Sequence, residues 1–249
     1  MLGRLQLPDD LFRPAIFSGE EESALTQRYF KDAAPGFFIE VGASDPVLHS
    51  QTFALEQQGW TGVLVEPLPD KARQLRLRRK AQVFQVACSG PEDDGKPLDF
   101  YVAGMYSSLR EQSVTAGVTP VDRITVQGMT LDSILSQADA PKTIDFVSID
   151  VEGHEIDVLD GFDLERWLPK ILVVEDLLMS PRLDRYLKAR GYAWFRRTGL
   201  NGWYAPRGTN PTVSLFGQWQ FFRKHYLGMP FRRAREIKRN IFNTPIDIR

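Results

Sequence analysis

The sequence predicts an α/β domain with a parallel or mostly parallel sheet and helices on both faces. Short, almost wholly apolar runs such as Phe37-Phe38-Ile39-Glu40-Val41 read as strands covered on both sides. Segments with helical spacing alternate with these runs at short intervals. Four of the predicted strands end on acids: Glu40, Glu66, Asp150 and the pair Glu175-Asp176.

In chain order, residues 1–18 are turn-rich and predict an irregular arm. Residues 20–30 predict a helix, with Leu25 and Tyr29 at i,i+4 spacing and Pro35-Gly36 as the stop. A strand over 37–41 runs into Gly42, and residues 52–58 make a short helix closed by Gly59. A second strand over 61–65 ends at Glu66-Pro67, and a basic helix over 70–80 leads to a third strand over 82–87. Shorter strands at 100–102 and 124–126 flank a Ser/Gly-containing loop over 103–120. A helix over 131–137 precedes a strand over 143–149 that ends on Asp150. The helix beginning at 155 is stopped by Gly161, and a strand over 171–174 meets Glu175-Asp176. Residues 183–189 are helical with Gly191 in the capping place, and 192–195 and 203–205 suit a closing antiparallel pair. No repeat or long linker interrupts this pattern. The expected organisation is an N-terminal arm and helix (1–35), a central domain (36–206) and a C-terminal extension (207–249).

Composition narrows the function classes. A chain of 249 residues with 43% apolar positions can bury a sizeable core, so bulk disorder is excluded. The formal charge of -1 lacks the positive surplus of a generic nucleic-acid binder, and no specific nucleic-acid binding is expected. The single Cys88 excludes an intrachain disulfide and a cysteine-based zinc cluster, and reads as a small buried hydrophobe. No apolar stretch approaches about 18 residues, and no apolar signal core follows Met1, which predicts a cytoplasmic protein without a transmembrane span. The charge is nevertheless uneven, because residues 221–249 carry +6 and leave -7 on residues 1–220. Phe221, Phe222, Tyr226, Leu227, Met229 and Phe231 interleave with those basic residues. Such an end either docks on its own domain through the aromatics or makes peripheral contact with a membrane's inner face or an anionic polymer.

Ligands of such sheets bind beyond the carboxyl ends of the strands, where strand order reverses. Gly42, in Glu40-Val41-Gly42-Ala43-Ser44-Asp45-Pro46, permits a tight turn and close ligand approach. The three-glycine dinucleotide fingerprint is missing, because Ser44 and Val47 stand where further glycines would be expected, so a pyrophosphate against this turn is disfavoured. Glu66, 26 residues after Glu40, is placed to accept hydrogen bonds from both hydroxyls of a ribose.

The segments Phe38-Ile39-Glu40-Val41-Gly42-Ala43, Gly62-Val63-Leu64-Val65-Glu66-Pro67 and Ile149-Asp150-Val151-Glu152-Gly153-His154-Glu155, continued by Val158-Leu159-Asp160-Gly161, resemble the FkbM-like family of S-adenosylmethionine-dependent methyltransferases. The resemblance runs in order from about residue 36 to 205 and does not cover the basic extension. It implies the class I methyltransferase fold, Rossmann-like, with a seven-stranded sheet and a C-terminal antiparallel hairpin. It also implies S-adenosyl-L-methionine as cofactor and O-methylation of a hydroxyl on a small-molecule or glycan acceptor, a sugar or natural product. By motif, Glu40, Gly42, Ala43 and Ser44 fall at the turn beside the methionine part of the cofactor, and Glu66 at its ribose. Ala87 and Cys88 fall near the adenine, and Ser107 and Ser108 on a small-residue loop near the cofactor. The usual asparagine after the glycine turn is replaced by Ser44-Asp45-Pro46. A non-catalytic adenosyl-ligand module and an NAD-dependent oxidoreductase are the alternatives that the residues alone leave open.

Asp150 and Glu152, two apart on an extended segment, would face the same cleft. Gly153 would turn the chain into a helix and place His154 at its start, where the helix field keeps imidazole neutral. His154, Glu152 and Asp150 are therefore the candidate bases for an acceptor hydroxyl. Together with Glu175 or Asp176, the two carboxylates could also hold Mg²⁺.

Overall fold

The computed structural model describes residues 19–110, 119–176, 180–209 and 215–242, so the expected arm and residues 111–118 of the expected loop lie outside the described residues. The chain opens with α1 (Gly19–Tyr29), β1 (Phe37–Val41), α2 (Phe53–Gln57), β2 (Thr61–Val65), α3 (Pro69–Arg78) and β3 (Gln82–Phe84). Next come β4 (Ala87–Cys88), β5 (Pro97–Val102), β6 (Asp122–Met129), α4 (Leu131–Gln137), β7 (Phe146–Ile149), α5 (Glu155–Asp160) and α6 (Leu164–Trp167). The remaining elements are β8 (Ile171–Glu175), α7 (Arg182–Ala189), β9 (Tyr192–Thr198), β10 (Asn201–Pro206), α8 (Leu215–Phe222) and α9 (Met229–Phe242).

Seven strands form the main sheet in the order β3-β2-β1-β7-β8-β10-β9. The pairings from β3 to β8 are parallel, whereas β10 runs antiparallel to both β8 and β9. This is the Rossmann-like class I methyltransferase arrangement, with helices on both faces and a reversed final hairpin. Strand order turns back between β1 and β7, and there the cleft opens.

Side-chain alternation explains why β1 is apolar throughout. Phe37, Ile39 and Val41 join the core packed under α4 to α7, with Ile134, Val158, Trp167 and Leu187. Phe38 faces the other way, into a core shared with Phe30, Leu55, Leu75 and Trp203 under α1 to α3. Glu40 shares the parity of Phe38, which settles where its carboxylate goes. It accepts hydrogen bonds from Ser50 Oγ (2.9 Å), Gln51 N (2.9 Å) and Thr52 Oγ1 (2.5 Å), with buried Arg79 3.8 Å away.

Two sequence expectations need adjustment. The strand expected over 82–87 is two strands, because β3 pairs with β2 while Ala87 and Cys88 pair with Gly128 and Met129 of β6. The short strands expected at 100–102 and 124–126 are parts of β5 and β6, which with β4 make a separate three-stranded sheet. Short-range apolarity does not tell which neighbour a strand will find. In the extension, α8 and the π-helical turn Arg223–Leu227 lie against the body: Phe221 stacks on His225 (4.0 Å) and meets Trp194 (4.4 Å). None of the described helices is long and apolar enough to cross a membrane.

Candidate active site

At the carboxyl end of β1 the backbone turns at Gly42 (φ +84°), where an added Cβ would sit 1.9 Å from the Asp150 carbonyl oxygen. Only glycine fits this approach of the β1 and β7 ends, which Asp150 N–H completes by bonding the Val41 carbonyl (3.0 Å). Beside the turn lies a cavity of about 540 Å³ including its open mouth, walled by Val41, Gly42, Ser44, Val65, Glu66 and Leu68 on one side. Ala87, Cys88, Phe100, Met105, Ser107 and His154 line the rest with their neighbours.

Glu66 is the anionic group in this largely apolar wall, and burial raises its pKa. Its two oxygens accept one backbone N–H each, from Ser44 (2.9 Å) and Leu68 (2.8 Å). A carboxylate has about four lone-pair sites, so capacity remains for a vicinal diol. Lys71 Nζ donates to Ser44 Oγ (2.8 Å) and to the Gly104 carbonyl (3.3 Å), tying the 104–107 turn across the mouth. Apolar walls, a close backbone turn and one carboxylate with spare acceptor capacity suit an uncharged nucleoside carrying a short arm.

Of the nine residues expected at the cofactor, Gly42, Ser44, Glu66, Ala87, Cys88 and Ser107 line this cavity. The structure does not bring the other three to its wall. Glu40 holds the 50–52 turn, Ala43 is buried with its N–H on the Val65 carbonyl, and Ser108 Oγ donates to the Glu152 carbonyl (3.1 Å). Ser108 thereby ties the 103–110 loop to the turn after β7. Burial also pushes the Cys88 thiol well up, which makes it an inert wall residue.

Around the corner of that turn the carboxylates crowd. Asp150, Glu152 and Glu175 each bring an oxygen within 4.8 Å of the other two. The route differs from the expected extended segment, because Glu152 (φ +54°) and Gly153 (φ +96°) are both left-handed and fold the chain back. Burial, then the Asp150, Glu152 and Glu155 charges, push Glu175 up to about 11. Burial and the Glu22 charge push Asp150 up to about 6, although it keeps accessible surface, as a group at the floor of a cleft would. Glu155 is raised to about 7, mainly by burial, with Gly153 N–H on its carboxylate at 2.8 Å. Such a group of acids retains protons at neutral pH and would be relieved by hydroxyl donors or a cation. Asp176 does not join it. Its carboxylate lies 3.3 Å from Arg197 Nη1 and 3.6 Å from His225 Nε2, which removes it from the expected metal set.

His154 precedes α5 as expected, but its neutrality has another main cause. Burial lowers its pKa, with Asp157 opposing and Arg110 assisting. Ser89 Oγ donates to Asp93 (2.5 Å) and so accepts from His154 Nε2–H at 2.9 Å. Nδ1 is buried 3.1 Å from Asp157 Oδ2, without hydrogen-bond alignment. Both ring nitrogens are therefore turned to protein groups.

A parallel sheet with one reversed strand, a glycine turn at its switch point and an acid at the end of the neighbouring strand define a class I S-adenosylmethionine-dependent methyltransferase. The FkbM methyltransferase domain matches residues 40–193, and the chain belongs to that family. No curated protein matches it in sequence. Among solved structures, a candidate RNA methyltransferase from Pyrococcus horikoshii is similar over 81% of this chain and 91% of its own, at 10% identity and a TM-score of 0.39.

Sequence reading missed several contributors. Lys71 is one of many basic residues on a helix, and Ser89, which the resemblance groups with Ala87 and Cys88 near the adenine, carries no local sign of its bond to His154. Glu22 of α1 accepts bonds from Gln51 (2.6 Å), Thr198 (2.5 Å) and Asn201 (2.9 Å), joining the first helix to the last hairpin across the sheet. A contact between residues this far apart in the chain leaves no local signal.

Proposed function

We propose that this methyltransferase transfers the methyl group of S-adenosylmethionine to a hydroxyl oxygen of a sugar, glycan or natural product, with Asp150 receiving the hydroxyl proton. The observation that carries the reading is the crowd of carboxylates at the ends of β7 and β8, beside the Gly42 turn. Polyol acceptors are donor-rich, and carboxylates are the acceptors that hold them.

S-adenosylmethionine, when bound, supplies a methyl group on a sulfonium that needs no protonation to leave. In this reading Glu66 holds the ribose diol, Gly42 and Ser44 border the methionine arm, and Ala87 and Cys88 wall the adenine. Glu40 acts through the turn it braces. Asp150, raised to about 6, is largely ionised near neutrality yet basic enough to take a proton as the new O–C bond forms. Glu152 and Glu175 orient neighbouring hydroxyls, and His154 positions the turn through Ser89. Alignment of the acceptor oxygen behind the methyl carbon and exclusion of water supply the rest of the catalysis.

The convergence of three carboxylate oxygens within 4.8 Å favours a second reading of the same cluster, in which Asp150, Glu152 and Glu175 hold Mg²⁺. Chelation would then abolish transfer, and added Mg²⁺ would restore it. The function itself is tested in two steps. S-adenosylhomocysteine should raise the melting temperature of the purified protein whereas NAD should not. Labelled methyl transfer to a panel of sugars and glycosides should then give an O-methyl product. Stabilisation by NAD alone, or methyl found on nitrogen or carbon, would sink the reading.

A further inference from the structure

The C-terminal extension is built of two unlike halves. Its first half is latched: Gln220 and His225 are buried, Phe221 packs on Trp194, and Lys188 Nζ sits 5.0 Å over the Phe221 ring. Its second half presents apolar surface to solvent. Phe231 is 75% exposed and Ile237 59%. At 100° per residue, Pro230, Phe231, Ala234 and Ile237 share one arc of α9, bordered by Arg233 on one side and Arg235 on the other. Lys238 falls within the arc, where its four-carbon stem can carry the ammonium outward. The helix sequence holds five Arg or Lys against the single Glu236.

We propose that α9 seats this enzyme on an anionic membrane surface, its apolar arc in the acyl boundary and its basic borders at the phosphates. Large exposed apolar side chains between basic ones are the pattern of an interfacial helix. The duplex backbone of a nucleic acid would satisfy the arginines but give Phe231 and Ile237 nothing to enter. A second copy would bring its own arginines against these. The charge of the whole chain agrees, since residues 1–220 carry -7 and are repelled from the surface that attracts the +6 of residues 221–249. That polarity orients the protein with the extension toward the membrane. Phe221 and His225 latch α8 and its following turn, and Arg232 of α9 donates to the Lys224 carbonyl of that turn.

The test is co-sedimentation of the full chain with vesicles of phosphatidylcholine containing about one third phosphatidylglycerol, against phosphatidylcholine alone, over a salt series. The parent protein should bind the anionic vesicles and be released as salt rises. The double variant Arg235→Ala/Lys238→Ala should partition about 25-fold less, at roughly fivefold per basic residue. Phe231→Ser/Ile237→Ser should lose at least about tenfold through the removed apolar anchors. Both variants change exposed residues, so melting temperature and S-adenosylhomocysteine binding should match the parent. Equal partitioning of the parent and both variants would overturn the proposal. So would duplex oligonucleotide binding without vesicle binding, or a parent dimer that Phe231→Ser/Ile237→Ser converts to monomer.

Discussion

The two halves of the cleft treat their acids in opposite ways. On the β1 and β2 side, Glu40 and Glu66 are buried but supplied with donors: a hydroxyl pair, one backbone N–H group and Arg79 for the first, two backbone N–H groups and nearby Lys71 for the second. On the β7 and β8 side, Asp150, Glu152, Glu155 and Glu175 face one another, and burial and mutual repulsion raise three of them strongly. The first half is set before any ligand arrives. The second stores an unfavourable arrangement that a polyol or a cation would relieve. Preorganisation of this kind suits a cofactor site used for every turnover, and stored repulsion suits the reacting side, where shifted acids do proton chemistry.

Substitution of Asp150 should separate the halves most sharply. Asp150→Asn is expected to slow single-turnover methyl transfer by about 10²–10⁴-fold while S-adenosylhomocysteine affinity stays near the parent value. Near-normal transfer would move the proton acceptor to Glu152, to be checked as Glu152→Gln. On the other half, Glu66→Ala should weaken S-adenosylhomocysteine binding by about 1–3 kcal/mol in calorimetry, because the ribose donors lose their acceptor. Unchanged affinity would remove Glu66 from the site and leave the comparison without its first half.

The stored repulsion has its own signature in the ligand-free protein. Glu175 is raised from 4.5 to about 11, so its stability contribution is fully present below pH 4.5 and is lost as pH climbs through that window. Glu175→Gln should flatten the decline, with a relative gain of about 1–2 kcal/mol at pH 8 over pH 5 in denaturant unfolding. Parallel stability–pH curves for variant and parent would show that the cluster stores nothing. The smallest effect is expected at His154. Because its nitrogens face Ser89 and Asp157, His154→Ala should cost less than about tenfold in transfer; a loss as large as that of Asp150→Asn would make it a base after all.

Much of the scaffold was legible locally. The apolar runs at 37–41, 61–65, 143–149 and 171–174, each ending beside an acid, placed four acidic strand ends at the same edge of the sheet, because parallel strands share a direction and their ends share an edge. Gly42 was legible as a close approach, although its partner, the Asp150 carbonyl, was not. The basic, aromatic extension was legible only as a choice between docking and surface contact. In the structure α8 with its following turn docks, and α9 keeps its apolar arc exposed.

Periodicity, turn residues and motif order determined the elements of this chain, their alternation, the cleft edge and the family, since each depends on neighbours within a few residues. The tertiary structure alone decided which way each acid looks. Strand parity sent Glu40 to Arg79 rather than to the cavity, and Arg197 drew Asp176 away from Glu175. Two left-handed residues folded Glu152 onto Asp150, and Ser89 took up the His154 ring. The physical reason is that a carboxylate's role is set by the donors and charges within a few ångströms of it, and in this fold those come from strands and helices far away in the sequence.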